Sequence, residues 1–279
     1  MESLLPPPVE STWFPGDAAQ KTRMRIEAGQ PTLGRVEITS ARCDFTSCWD
    51  HGPRRGKLLE VVGREDQPRA ASLIAIHTHG IPTGFSREAE AEAEAAEAPT
   101  LAGREDLRDT PLITIDPVDA RDHDDAVWGE IDQATGGANI IVAIADVAAY
   151  VRPGSALDGD AREKANSVYF PDRVEPMLPE RLSNGLCSLR MGENRACLAV
   201  RMVFNAQGAK VSHRFMRGLM RSAAKLSYEQ AQAAIDGKPD DDTGPLLEPI
   251  LKPLWAAYKC MLKGRERRSP LAIESDERK

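Results

Sequence analysis

Between Leu112 and Trp128 the chain reads LITIDPVDARDHDDAVW, which places Asp116, Asp119, Asp122, Asp124 and Asp125 within ten residues of one another. The stretch constrains the backbone as well as the chemistry. Leu112 to Ile115 is an apolar run that predicts a buried strand with Asp116 at its end. Pro117 then halts the ladder, because proline has no N–H to donate. Asp125-Ala126-Val127-Trp128 opens a second extended run after one tight loop. A strand that ends in a loop returning into another strand brings Asp116 close to Asp122, Asp124 and Asp125.

Ionised carboxylates this crowded repel one another. A fold tolerates them when they point into water or when a cation bridges them. Two readings follow: a solvated turn with capping aspartates, or a metal site for phosphoryl chemistry. Hard divalent ions take oxygen ligands, and Mg²⁺ joins one or two carboxylates to substrate phosphates. A calcium EF-hand does not fit. Counted from Asp122, its fifth, sixth and twelfth positions would be Ala126, Val127 and Gln133. Zinc does not fit either, since His123 is the one nitrogen donor in the stretch and no Cys lies near it.

The rest of the chain predicts a mixed α+β protein. Strands are expected at 112–116, 125–131, 139–146, 197–205 and 209–219, and helices at 156–166, 227–236 and 245–263. Asp132 to Gly137 is a turn. Upstream, Arg35–Ile38, Leu58–Val62 and Ala71–Ile76 read as short β pieces separated by glycines and Pro53, which suits a partial OB-type barrel. His77 and His79 would alternate on one face of the last piece, as ordinary strand residues. Met1 to Leu33, with three consecutive prolines, predicts irregular structure. Ser86 to Ala98 is a Glu/Ala run. Its alternating acids surround a helix rather than forming one face, so it reads as a linker without docking.

At 279 residues the length allows one large or two modest domains, and a hydrophobic content of 41% is enough for a core. No segment approaches the roughly 18 apolar residues of a membrane-spanning helix. The N-terminus has no basic region followed by an apolar core, so no secretory signal is expected. Cys43, Cys48, Cys187, Cys197 and Cys260 show no paired spacing, which points to reduced thiols in a cytoplasm. The net charge of −7 hides local contrast. Arg214, Arg217, Arg221 and Lys225 form one basic group, and Lys263, Arg265, Arg267 and Arg268 another. Phosphate neutralisation requires such clusters rather than a positive total; a solvated helix end is the competing reading of the second.

The aspartate stretch resembles the signature of the ribonuclease II/R family of 3′-to-5′ exoribonucleases. The resemblance continues through IVAIADVAAYVRPGSALDGDAREKANSVYFPDRVEPMLPERLSNGLCSLRMGENRACLAVRMVF. It is closest to the ribonuclease R branch in NSVYFPDRVEPMLPERLSNGLCSL. Upstream, GKLLEVVGREDQPRAASLIAIHTHGIPTGF resembles the tail of a cold-shock domain. The resemblance covers about Gly34 to Lys279. It implies an irregular segment at 1–33, part of a cold-shock/OB domain at 34–84, an acidic linker at 85–106 and the N-terminal part of an RNB catalytic domain at 107–279. Family members are longer. The second half of that domain, with an arginine and a further acid, and a C-terminal OB-type domain are expected to lie outside this chain. A second polypeptide could supply that half, and the chain alone is expected to be a feeble nuclease.

The resemblance further implies hydrolysis of single-stranded RNA from its 3′ end to 5′-nucleoside monophosphates, with Mg²⁺, or Mn²⁺, as cofactor. Asp116, Asp122, Asp124 and Asp125 are the implied metal ligands, with Asp124 the catalytically most sensitive. Tyr169 is implied to stack on RNA near its 3′ end, whereas Phe170 is expected in the core. Asp146, at the end of another apolar strand, is expected to play a structural part. The polar groups of Met177–Asn184 are expected to shape a channel wall. The alternative function is a non-catalytic RNA-binding fragment or a decayed gene product. Cytoplasmic placement, with no membrane contact, accompanies either.

Overall fold

The computed structural model describes residues 32–40, 55–64 and 70–268. The expectation of irregular structure at 1–33 thus lies outside the described residues, except at Thr32 and Leu33. In chain order the strands are β1 (Thr32–Ser40), β2 (Arg55–Arg64), β3 (Glu105–Leu107), β4 (Ile113–Asp116), β5 (Asp125–Ile131), β6 (Ala138–Ala145), β7 (Val168–Phe170), β8 (Arg173–Glu175), β9 (Asn194–Phe204), β10 (Lys210–Arg221) and β11 (Ala224–Ser227). The helices are α1 (Ala70–His79), α2 (Arg87–Glu94), α3 (Ala156–Lys164), α4 (Tyr228–Ile235), the single turn α5 (Gly244–Leu246) and α6 (Lys252–Arg267). The chain divides into two compact units. One takes in the described residues up to Gly84 together with Ser167–Glu175; the other holds Phe85–Asn166 and everything described after Pro176.

In the first unit β1 and β2 form an antiparallel ladder with register shifts. The stretch Ala71–Ile76, expected to be a strand, lies inside α1. Ser72 and Ile76 are buried but Ile74 between them is not, whereas a strand face would bury all three. His77 and His79 therefore fall in the last helical turn and do not share a strand face. β7 and β8 form a hairpin, and the Ser72 hydroxyl donates to the Asp172 carboxylate beside its turn.

The second unit is built on a seven-stranded sheet in the order β11-β4-β5-β6-β9-β10-β3. β11 runs parallel to β4 and β3 parallel to β10; the other neighbours are antiparallel. The central strand β6, Ala-Asn-Ile-Ile-Val-Ala-Ile-Ala, is apolar on both faces because both are covered. On one side Ile141, Ala143, Cys197 and Met220 pack with Ala89 of α2, Leu157 of α3 and Leu182. On the other, α4 and the turn Leu247–Leu251 cover Ile113 and Leu226, while α6 covers Ala138 and Ile140. α6 crosses the β9–β10 turn very closely. A Cβ at Gly264 would lie 2.0 Å from the carbonyl oxygen of Gly208, so only glycine fits there.

The five strands expected in this region appear, with ends within three residues of the sequence reading. Asp132–Gly137 is the expected turn, with Asp132 accepting from Ala134 N and the Thr135 hydroxyl. The helix expected at 245–263 is instead interrupted by a wide turn at Leu247–Leu251 before α6 begins, where Pro249 and Pro253 withhold N–H groups. Residues 85–106 are not a free linker. α2 buries Ala89 and Ala93 at 0% and 1% exposure, and β3 joins the sheet edge. In an alternating Glu/Ala run the alanines also recur every four residues. They, not the acids, make the docking stripe. Glu92 meanwhile accepts from the N–H groups of Ala156 and Leu157, capping α3 and holding its carboxyl below the usual range.

Candidate active site

β4 ends on Asp116 and β5, its antiparallel neighbour, starts on Asp125. Asp116, Asp122, Asp124 and Asp125 are therefore gathered at one end of the sheet. The loop between them is pinned from below. His123 N donates to Ser188 Oγ at 3.1 Å, Leu189 N donates to His123 O at 2.8 Å, and Ala145 N donates to Asp124 O at 2.8 Å. Asp116 and His123 are buried, at 7% and 4% exposure, and His123 Nδ1 lies 2.8 Å from Asp116 Oδ2. Asp124 and Asp125 reach the surface.

The charges are felt. Loss of hydration raises the Asp124 carboxyl above its ordinary range, and the carboxylates of Asp122, Asp125 and Asp116 raise it further. Asp125 is raised by the same loss of hydration and by Asp116. Asp124 thus feels the charge of all three others. Nearby, burial pushes the Cys187 thiol up to about 12, with Asp124 and Asp146 adding to it. Cys187, Cys197 and Cys260 are buried free thiols.

The donor set is all carboxylate oxygen, which fits a hard divalent cation. It does not fit a closed four-carboxylate cage. Among the described residues no three His, Cys, Asp or Glu side chains converge to hold an ion as they stand. The four come from different places in the chain: Asp116 closes β4, Asp122 and Asp124 lie in the loop, and Asp125 opens β5 opposite Ile144. A cation held by one or two carboxylates, with phosphate and water as its other ligands, needs no such convergence.

Tyr169 stands on β7 in the first unit and is 65% exposed, so it is not a core aromatic. Phe170 beside it is half-buried. Asp146 is the residue expected to play a structural part. It is buried and paired through Oδ2 with Arg104 at 2.8 Å and Arg217 at 3.4 Å. Arg181 donates to the carbonyls of Ala93 and Ala96 at 2.9 Å each, closing the end of α2. The first basic group is not one patch. Arg214 and Arg217 alternate along β10, and Arg214 pairs with Glu105, Arg217 with Asp146 and Arg221 with Asn194. Lys263, Arg265, Arg267 and Arg268 cluster on the exposed last turns of α6, where cations complement the helix end. Of two surface hollows, one of about 470 Å³ lined by Tyr228 and Gln232 and one of about 580 Å³ between Phe204 and Tyr258, neither is lined by the four aspartates. At the acidic sheet end Asp124 and Asp125 are the carboxylates presented to solvent. His123 and Ser188 carry parts of this site, and Arg104 anchors Asp146 beside it, none of which sequence reasoning assigned. His123 lay in plain view inside the motif, but Ser188 and Arg104 are brought in by tertiary contact.

The fold and site define a mixed α+β domain with a carboxylate cluster at the mouth of its sheet. Residues 104–277 match the RNB domain, and the chain belongs to the RNB domain family. It is 42% identical over 230 residues to ribonuclease R of Escherichia coli, covering 80% of this chain and 28% of that protein. To ribonuclease R of Acidithiobacillus ferrooxidans it is 41% identical over 222 residues, covering 78% and 50%. Among solved structures, Mycoplasma genitalium RNase R in complex with double-stranded RNA superposes with a TM-score of 0.75 at 26% identity, over 88% of this chain and 43% of that one. Yeast Ssd1, a pseudonuclease, shares the fold with a TM-score of 0.57 at 18% identity, over 73% and 26%. The chain thus spans between about a quarter and half the length of these curated relatives.

Proposed function

We propose that this chain carries the acidic centre of a 3′-to-5′ hydrolytic exoribonuclease that degrades single-stranded RNA to 5′-nucleoside monophosphates. The observation that carries the reading is the gathering of Asp116, Asp122, Asp124 and Asp125 at one sheet end in a member of the RNB family. Mg²⁺, or Mn²⁺, is the proposed cofactor, held by one or two of these carboxylates at a time. When bound, it supplies neutralisation of the scissile phosphate and acidification of the attacking water. Asp124, coupled to all three neighbours, is the carboxylate whose charge the reaction depends on most. Asp116, buried and fixed, sets the position of the group. Tyr169, large and exposed, is proposed to stack on a base near the RNA 3′ end, an interaction worth about 1–3 kcal/mol. The described part of residues 34–84 is proposed to belong to a cold-shock domain that guides the strand. Cytoplasmic placement accords with the unpaired, buried thiols.

Groups that stabilise the transferring phosphate and walls that align the strand are required for rapid hydrolysis. Further polypeptide, continuous with this chain or supplied separately, is proposed to provide them. The exposure of Asp124 and Asp125 supports this, as do the cross-strand partners Ile144 and Leu198, 45% and 47% exposed on the sheet. The test is incubation of the purified chain with Mg²⁺ and 3′-labelled single-stranded RNA, alone and with the remainder of an RNB domain in trans. Release of labelled 5′-monophosphate, faint in the first case and strong in the second, is expected.

A second reading is a non-catalytic RNA-binding module. It is favoured by Ssd1, which keeps this fold as a pseudonuclease and shows that the fold does not by itself bring activity. RNA binding that is unchanged in Asp124→Asn, with no cleavage in either protein, would support it.

A further inference from the structure

We propose that His123 is a positioning residue for Asp116, fixing which carboxylate oxygen is offered to the cation; this rests on the metal-dependent reading above. An ionised carboxylate only accepts hydrogen bonds, so the 2.8 Å contact requires the proton on His123 Nδ1 and directs it at Asp116 Oδ2. One oxygen of a side chain with 10% exposure is thereby engaged inside the protein. On this assignment Oδ1, the oxygen not engaged by the ring, is the one offered to the cation, and Asp116 binds in one direction through that atom.

The imidazole is itself held. Its backbone N–H donates to Ser188 Oγ at 3.1 Å, and its carbonyl receives Leu189 N at 2.8 Å. Ser188 Oγ in turn donates to the Arg121 carbonyl at 3.4 Å, on the other side of Asp122. Ser188 and Leu189, which follow the turn Arg181–Leu186, thus clamp the loop that presents the aspartates. The ring is 4% exposed and cannot swing into solvent. This is the arrangement by which groups behind a metal site set the direction and basicity of a ligand. Losing such a group typically lowers metal affinity about 10- to 100-fold.

The ring's two nitrogens give the test its resolution. Asparagine can place an amide donor near the position of Nδ1, whereas glutamine carries its amide further out, near Nε2. Mn²⁺ binding to the 279-residue chain is measured by electron paramagnetic resonance for the parent and for Asp116→Ala, His123→Asn, His123→Gln and His123→Phe. The proposal expects a dissociation constant raised about tenfold or more in His123→Phe and His123→Gln, and within about threefold of the parent in His123→Asn. A purely structural histidine would not separate the Asn and Gln variants, which lose the same ring. Equal affinity across the three His123 variants, with binding still lost in Asp116→Ala, would overturn the positioning role and leave the metal site standing. A parent that binds no Mn²⁺, or an Asp116→Ala variant that binds it normally, would overturn both.

Discussion

Arg104 Nη1 donates to Asp146 Oδ2 at 2.8 Å, and the two side chains retain 12% and 3% of their exposure. Arg217 reaches the same oxygen at 3.4 Å from a side chain that is 55% exposed. The pair ties the segment before β3 to the end of β6, close to the acidic loop.

Removing the buried anion strands a buried cation. Asp146→Ala is therefore expected to destabilise the fold by about 3–5 kcal/mol. Arg217→Ala, which deletes an exposed partner, should cost less than about 1 kcal/mol. Urea unfolding midpoints of the two variants check the ordering. Equal midpoints would show that the pair contributes little.

The acidic cluster should behave in the opposite way. The Asp124 carboxyl is raised by burial first and by Asp122, Asp125 and Asp116 next. With a folded pKa above the unfolded one, the native state binds the extra proton, so ionisation works against folding. The penalty is fully present above the raised folded pKa and is relieved as pH falls through it towards the unfolded value. Asp124→Asn is thus expected to raise the melting temperature slightly, by roughly 1–2 °C, because solvent screens much of the repulsion at an exposed side chain. The gain should shrink as pH is lowered through the carboxylate range or as Mg²⁺ is added. Differential scanning calorimetry at several pH values reads both trends, and a lowered melting temperature at neutral pH would count against the crowding argument.

Burial holds the Cys187 and Cys197 thiols up to about 12 and about 11. The thiolate is the reactive form. Both are expected to stay unmodified by iodoacetamide at pH 8 in the native protein and to react fully in urea. Peptide mass mapping after quenching distinguishes the two states. Rapid native labelling of Cys187 would mean that the floor of the acidic loop opens.

Tyr169→Ala is expected to lengthen the end products of RNA degradation rather than abolish it. A stacking residue holds a short strand to the site, and its loss lets that strand go earlier. Denaturing gels of limit digests, made with the complete domain present, give the sizes. Identical end products would remove Tyr169 from the RNA path.

The strands of the second unit were legible because long apolar runs such as Ile140 to Ala145 and the aspartate-proline stop after Ile115 admit few other structures. β11 was not legible. Ala-Lys-Leu-Ser has no pattern of its own and becomes a strand only by pairing with β4. α1 was misread because Ala71–Ile76 is short and apolar, a length at which period alone does not separate strand from helix. The packing of α2 was hidden by attending to its glutamates and not to Ala89 and Ala93. In the site, the four aspartates were visible as a group. The clamp from Ser188 and the Asp116–His123 contact depend on three-dimensional placement that spacing along the chain does not reveal.

The most direct test of the account compares the parent with Asp124→Asn on one 3′-labelled single-stranded RNA, with Mg²⁺ and with the remainder of an RNB domain supplied in trans. Gel shift measures affinity in the same samples. The account predicts release of labelled 5′-nucleoside monophosphate by the parent, loss of that release in Asp124→Asn, and RNA affinity equal within about twofold. Release that continues unchanged in Asp124→Asn, or no release by the parent in the completed domain, would contradict it.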